Sequence, residues 1–524
     1  MIHWPRTKVI KMRAFSKCLG PVAVLLAVLA LGRAGEYGPS TALPPKPFRE
    51  FRGVWIASVA NIDWPSTKGL TSAEQKTELL AMLDRAVQLR LNVVILQVRP
   101  ACDALYASKI EPWSEFLTGT MGQAPQPYYD PLSFAVEEAH RRGLELHAWF
   151  NPYRAGHPSA KSAISANHVS REHPGWVRHY GKQAWLDPGE KEVQEYSLSV
   201  VMDVVRRYDV DGVHFDDYFY PYKETDGAGR ELEFPDESSW RKFGAGGKLS
   251  RDDWRRENVN AFIERAHAGI KGVKPWVKFG ISPFGIWRPG NPGPIKGFDA
   301  YEKLYADSRK WLNKGLVDYF APQLYWAIDA PEQSFPVLLK WWLQQNTKER
   351  VMVAGLDDTK AGSRRRLTDK PAWQPAEIMN QIRLTRKQGG CDGQIHWSMD
   401  CLMQNAALDE TLLREVYTQP ALGPIYSWID RTPPARPAIS SETEGRTPAK
   451  LKVSWSSTGT EKPWLWLLQS KTGQWTSEVL PTGKNSFTWT GNLPEVVAIS
   501  AVDRNGNVSS PAVIGKARAA ALGR

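Results

Sequence analysis

The stretch Asp211-Gly212-Val213-His214-Phe215-Asp216-Asp217-Tyr218 puts a histidine and two adjacent carboxylates at the end of a short apolar run. A carboxyl group gives or takes a proton, or attacks as a nucleophile, according to how its surroundings set its charge. Side chains alternate along a strand, so His214 and Asp216 share a face. Asp217 begins the following loop and can turn either way. In a purely structural role either aspartate would cap a helix or pair with an arginine. Four further acids follow other apolar runs and compete for the part of a second carboxylate. Asp63 lies past FRGVWIASVA, Asp103 past NVVILQV, and Glu111 and Glu115 lie in the stretch SKIEPWSEFLTG. A loop glutamate is commonly just a solvated charge, so the choice among them stays open.

Other run ends carry Arg99; His147, Asn151, Tyr153 and Arg154; Trp287; Gln323, Tyr325 and Trp326; and Trp397. Indole and phenol rings offer flat faces to sugar rings. Arg, Asn, Gln and His bind hydroxyls. Together with paired carboxylates, that set is what cleavage of a glycosidic bond uses. His147 and His214 could ligate a metal, but such residues more often hydrogen-bond within the barrel, and no Cys/His cluster has metal-ligand spacing. No metal or other cofactor is expected. GxSxG is absent, which argues against an α/β-hydrolase.

These residues act together only if a scaffold gathers the run ends. The apolar runs predict strands at Phe51–Ala60, Asn92–Val98, Leu144–Phe150, Val210–Phe215, Val277–Ser282, Leu316–Leu324, Val351–Gly355 and Gly393–Trp397. Helix-like segments alternate with them over 71–90, 130–142, 190–208, 251–271, 299–314, 331–345, 375–388 and 406–416, with a long insertion at 217–250. Continuous apolar runs suit strands buried on both faces. Strand–helix repeats of this number predict an α/β fold, a (β/α)₈ TIM barrel, whose site lies at the C-terminal strand ends. No GxGxxG turn follows the first strand, so a doubly wound dinucleotide fold has no support.

The chain divides into a leader (1–34), a linker (35–48), the barrel (49–420), a Pro-rich linker (421–437), a small all-β sandwich (438–517) and a tail (518–524). The leader has five basic residues, Arg6 to Lys17, before the apolar run Pro21–Leu31, then Gly32-Arg33-Ala34. That order reads as a signal peptide cut after Ala34, with an uncleaved anchor as the alternative. The protein is therefore expected to be exported, to the periplasm or cell surface, touching membrane only through an uncleaved leader. Removing the six basic residues of 1–34 lowers the net charge from +11 to +5. That mild excess suits an anionic polymer and shows no clustered nucleic-acid footprint. Of the 23 Trp, some suit sugar stacking and the rest core packing, including Trp455, Trp464, Trp466 and Trp475 of the sandwich. Past the leader three cysteines remain, and Cys391–Cys401 is left open as a disulfide.

The phrases FRGVWIASVANIDWPS, LQVRPACDALYASKIEPWSEFLTG, YYDPLSFAVEEAHRRGLELHAWFNPYR, DGVHFDDYFYP and APQLYW resemble the glycosyl-hydrolase-like family 10 proteins, over about residues 49 to 420. VVAISAVDRNGNVSSP resembles the last strands of fibronectin type III modules. The first resemblance implies a TIM barrel in exported bacterial proteins and, through a divisome-associated member, peptidoglycan strands stripped of stem peptides as substrate. Where family-18 chitinases carry their acid on strand four, Tyr218 stands here, so their mechanism does not transfer. The reading is a monomeric glycosidase with Asp216 as one catalytic carboxylate and Asp217, Asp63, Glu111 or Glu115 as its partner. Arg99, Asp103, His147, Asn151, Tyr153, Arg154, His214, Trp287, Gln323, Tyr325, Trp326 and Trp397 are expected to bind a glycan polymer. The alternative is a non-catalytic glycan-binding protein on a degenerate barrel.

Overall fold

The structure, a computed structural model, describes residues 37–361, 373–445 and 449–517. The leader and the tail lie outside the described residues. Among those described, eight parallel strands close into a barrel: Phe51–Ile56, Val93–Arg99, Glu145–Phe150, Gly212–Phe215, Lys278–Ile281, Tyr319–Phe320, Val351–Asp357 and Gly393–Trp397. We call them strands one to eight. Alternation sorts their side chains. Val54, Val94 and Leu96 face the surrounding helices. Phe51, Trp55, Val93, Ile95, Trp149, Tyr319, Val351 and Val353 fill the interior. Glycine makes room for the larger rings, since a Cβ on Gly280 would lie 1.9 Å from Tyr319 Cζ.

A polar axis runs down this interior. His214 Nε2 accepts from Trp55 Nε1 at 3.1 Å, which leaves Nδ1 to donate to Tyr319 Oη at 2.8 Å. Tyr319 then donates to His147 Nδ1 at 2.9 Å, and His147 Nε2 to Glu145 at 3.1 Å. Glu145 is paired in turn with Lys278 at 2.9 Å. Burial, then the neighbouring His147, keeps His214 well below the usual histidine range. These histidines are internal struts.

The helices start where their caps dictate. Thr71 and Glu74 form a capping box on Ser72–Gln88, Asp130 caps Pro131–Arg141, and Ser250 caps Arg251–Val273. Several elements differ from expectation. Strand one stops at Ile56 because the next amides, of Ala57, Ser58 and Val59, donate to the Asp63 and Gln97 side chains instead of to a neighbouring strand, and the chain then turns left-handed at Ala60 and Asn61 (φ 56° and 52°). Strand six is two residues long. Past Pro322, which has no N–H to donate, Gln323 makes single bridges to Phe284 and Gly355. Strand seven runs two residues further than expected, to Asp357. The predicted 299–314 helix is two, Ala300–Lys303 and Ser308–Lys314, each with its own Asp cap. Cys391 and Cys401 are free thiols; Cys401 Sγ donates to the Asp358 carbonyl at 3.2 Å.

The C-terminal unit is a two-sheet sandwich. Leu451, Val453 and Trp455 of one sheet meet Trp466, Leu468, Val497 and Ile499 of the other. Trp455, Trp464 and Trp466 are buried and unavailable to a sugar. Residues 35–48 are more than a linker, since Tyr37–Pro39 is an edge strand of this sandwich, paired antiparallel with Ala512–Lys516. The 421–437 segment is also docked. Leu422 and Tyr426 are buried, and Trp428 Nε1 donates to Asp318 at 2.8 Å. The sandwich sits under the N-terminal ends of the barrel strands. There Arg504 pairs with Asp211 (3.1 Å) and Asp209 (2.5 Å), and its carbonyl accepts from Lys278 Nζ at 2.7 Å.

Candidate active site

At the opposite end, the C-terminal strand ends surround a cleft of about 290 Å³. Asp216 and Asp217 line it, 6% and 3% exposed. Trp55, Trp149 and Trp397 form one wall, with Trp397 meeting each of the others edge-on at 6.2 Å between ring centres. Tyr218, Tyr222 and Tyr325 also line the cleft.

Asp216 is held by a chain of amides that begins in the backbone. The amides of Ser58 and Val59, just past strand one, donate to Gln97 Oε1 at 2.9 and 2.8 Å. This fixes which end of the Gln97 amide faces inward, so its Nε2 donates to Asn151 Oδ1 at 2.6 Å. Arg154 Nη1 donates to the same oxygen at 2.9 Å. Asn151 Nδ2 is thereby turned to Asp216, reaching Oδ1 at 2.8 Å and Oδ2 at 2.6 Å. The Tyr218 amide adds a contact at 3.2 Å. Burial pushes the Asp216 pKa up, while the Arg154 charge and these donors favour the anion.

Asp217 has weaker support. Tyr222 Oη donates to its Oδ2, and Gln323 lies close by. Burial, then the Asp216 charge, pushes its carboxyl up to about 7. Both carboxyls are thus raised above the ordinary aspartate value. Trp149 Nε1 and Arg154 Nε, both buried, have no protein hydrogen-bond partner.

Of the expected binding residues, Arg154, Gln323, Tyr325 and Trp397 line the cleft, and Asn151 stands behind Asp216. The structure does not bring the others there. Arg99 and Glu111 form a fully buried ion pair. Asp103 accepts from the Ala101 amide at 2.9 Å. Asp63 ties the strand-one loop to the strand-eight loop through the Ala57 amide and Ser398 Oγ, and burial pushes it up to about 6. Glu115 pins the 159–162 loop by accepting from the Lys161 and Ser162 amides and Lys68. Although burial opposes it, these donors hold its pKa below the ordinary value. His147 and His214 belong to the interior axis. Tyr153 packs on Phe262, Trp287 stacks on Trp341, and Trp326 abuts Phe284. Trp55, Gln97, Trp149, Tyr222 and Ser282 line the cleft without having been singled out from sequence. The alternation of strands one to three places Trp55, Gln97 and Trp149 inward. Nothing local announces Tyr222, which lies in the insertion.

Asp357 ends strand seven beside Trp397 in the register, on the same strand face as Val353. Its carboxyl accepts from Thr359 Oγ1 at 2.5 Å and pairs with Lys360 at 3.5 Å.

A closed barrel whose mouth holds two adjacent buried carboxyls, walled by aromatic rings, is that of a barrel glycosidase. The chain belongs to the Glycosyl hydrolase-like 10 family, whose model matches residues 50–374. It is 41% identical over 413 residues to Glycosyl hydrolase YngK of Bacillus subtilis, covering 77% of this chain and 79% of that one. To Glycosyl hydrolase DigH of Escherichia coli it is 38% identical over 395 residues, covering 70% and 87%. Among solved structures, the PgaB (BpsB) glycoside hydrolase domain from Bordetella bronchiseptica is similar at TM-score 0.48 and 13% identity, covering 71% of this chain and 99% of that one.

Proposed function

We propose that the protein is exported and hydrolyses O-glycosidic bonds in a cell-wall amino-sugar polymer, peptidoglycan glycan strands first. The observation that carries the chemistry is the asymmetry of the two aspartates. Asp217, protonated near neutrality, is placed to donate to the leaving oxygen. Asp216, which accepts from Asn151 and the Tyr218 amide beside Arg154, faces the positive charge that develops on the sugar. The aromatic walls suit sugar rings, and the unpartnered N–H groups of Trp149 and Arg154 suit hydroxyl or carbonyl oxygens. Export is supported by the leader pattern, and the substrate by the resemblance to a family with a divisome-associated member that acts on peptidoglycan strands. The mild positive charge left after leader removal is consistent with an anionic wall polymer.

The test is incubation with purified sacculi, with and without amidase pretreatment, followed by mass spectrometry of released fragments. Wild type should release glycan fragments with new reducing ends, more from amidase-treated sacculi. Asp216→Asn should lower turnover about 10²–10⁴-fold with an unchanged circular dichroism spectrum. Near-normal turnover by Asp216→Asn, or no fragments from wild type, overturns the reading.

A further inference from the structure

Among the described residues five arginines are buried: Arg52, Arg99, Arg154, Arg255 and Arg256. Burying a guanidinium is costly unless a carboxylate pairs with it. Arg52 pairs with Glu50 at 2.7 Å, Arg99 with Glu111, Arg255 with Asp236 at 2.7 Å and Arg256 with Asp253 at 2.8 Å. Arg154 is the one that lines the cleft, and it makes no ion pair among the described residues. Asp216 feels its charge, yet no hydrogen bond joins the two.

The Arg154 guanidinium is held in place. Nη1 donates to Asn151 Oδ1 at 2.9 Å and to the Pro100 carbonyl at 3.3 Å. The Tyr218 ring centre lies 4.4 Å from its Cζ, and that of Trp185 5.7 Å. The remaining edge is formed by Nε and Nη2, and neither has a partner among the described residues. This is the edge that grips a carboxylate with two parallel bonds. Arg255 uses it here, turning Nε and Nη2 to the two oxygens of Asp236 at 2.7 Å each. Arg99 turns the same edge to Glu111. His157 also lines the cleft. The Ser159 amide donates to its Nδ1 at 3.2 Å, so the ring proton sits on Nε2. Burial, then the Arg154 and Lys68 charges, push its pKa down to about 4, which keeps the ring neutral. Glu115 steadies this loop through the Lys161 and Ser162 amides. Arg154 and His157 thus offer N–H donors and no acceptor. A hydroxyl brings a proton of its own, whereas a carboxylate only accepts, through about four lone pairs, and carries the complementary charge.

We infer that Arg154 and His157 form a subsite for the free carboxylate of the polymer's lactyl-bearing sugar, with the Arg154 fork on both oxygens and His157 Nε2 donating to one. This deepens the proposed function and rests on it. In a strand that still carries stem peptides the lactyl carboxyl is an amide. It is uncharged, has one acceptor oxygen, and turns an N–H toward donors. Hydrolysis of that amide restores the second oxygen and the charge. The subsite therefore distinguishes a stripped strand from an intact one by a single functional group, at the same cleft that holds Asp216 and Asp217.

The experiment uses the full chain and soluble glycan strands in three forms: bearing stem peptides, stripped by amidase, and stripped then converted to the lactyl methylamide. New reducing ends give kcat/KM for each. The carboxylate and the methylamide differ by one charge and one acceptor oxygen and hardly in size. Wild type should prefer the carboxylate by about 10²-fold. Arg154→Lys keeps the charge and loses the fork, so the preference should shrink to about 10-fold or less. Turnover of both forms should fall as well, because Asn151 loses a bond. His157→Phe keeps a ring there, leaves Asn151 untouched, and should shrink the preference about 3–10-fold. Damage to packing lowers both forms together and leaves the ratio standing, so the ratio separates recognition from structure. Equal cutting of carboxylate and methylamide by wild type, or a preference that survives Arg154→Lys, overturns the inference while glycosidase activity on stripped strands stands. Preferential cleavage of a polymer of alternating glucuronate and N-acetylglucosamine overturns the lactyl assignment in favour of a carboxylate on the sugar ring. If wild type cuts no glycan at all, the functional reading fails and takes this one with it.

Discussion

Replacing Asp217 with Asn should make the protein more stable and nearly inactive, with the stability gain depending on pH in a fixed sense. Burial and the Asp216 charge raise the Asp217 carboxyl from 3.8 to about 7. Between those values the folded chain keeps a proton that the unfolded chain has released. Stability therefore falls as pH rises through that window, and the loss is complete above about 7. At about 1.4 kcal/mol for each tenfold in proton affinity, the gap is worth about 4 kcal/mol, an upper bound because the pair shares its charge. Asn does not titrate, and its carbonyl can still accept from Tyr222. The advantage of Asp217→Asn over wild type should be about 1 kcal/mol at pH 4.5 and reach about 2–4 kcal/mol at pH 8. Urea denaturation followed by tryptophan fluorescence at several pH values measures it. Turnover should fall about 10²–10⁴-fold through loss of the proton donor. Wild-type turnover should decline above about pH 7 as Asp217 ionises. A stability difference that is flat between pH 4.5 and 8 would refute the reasoning, because Asp217 would then not be held protonated by its surroundings.

Other perturbations separate positioning from packing. Gln97→Glu keeps the contacts to the Ser58 and Val59 amides but removes the donor to Asn151, so Asn151 loses the orientation that serves Asp216. Turnover should drop about 10²-fold with little change in KM, whereas a purely structural role would move melting temperature instead. Glu111→Ala leaves Arg99 buried without its partner and should cost about 3–5 kcal/mol of stability, read by denaturation. Arg504→Ala removes the partner of Asp211 Oδ1 at the barrel base, leaving His140 and the Leu146 amide on Oδ2, and should lower stability by about 1–3 kcal/mol while steady-state kinetics of the folded enzyme stay unchanged.

The barrel was legible because eight largely apolar runs alternate with helix-like segments, the second of them, Val93–Arg99, apolar on both faces over most of its length. Strand six was overestimated because only Tyr319 and Phe320 make regular ladder bonds before Pro322 interrupts them. The site was half legible. Alternation tells which face a strand residue takes, so His214 and Asp216 were rightly placed together. It says nothing about depth, and His214 lies one layer down on the interior axis while Asp216 reaches the mouth. Nor does sequence show pairings. Arg99 and Glu111 are twelve positions apart and looked like two binding groups until the fold joined them. Asp357 was passed over because its strand was expected to end at Gly355.

Tyr37–Pro39 pairs with Ala512–Lys516, so the first and last described strands lie side by side with the whole barrel between them in sequence. Closing so long a loop is entropically slow, which makes this seam a late event in folding. During synthesis the opening strand has to wait, unpaired, until the closing one emerges. Because the seam belongs to the unit beneath the barrel, cargo or a solid support attached through either end hangs from the side opposite the mouth. An enzyme immobilised that way keeps its opening turned to the polymer.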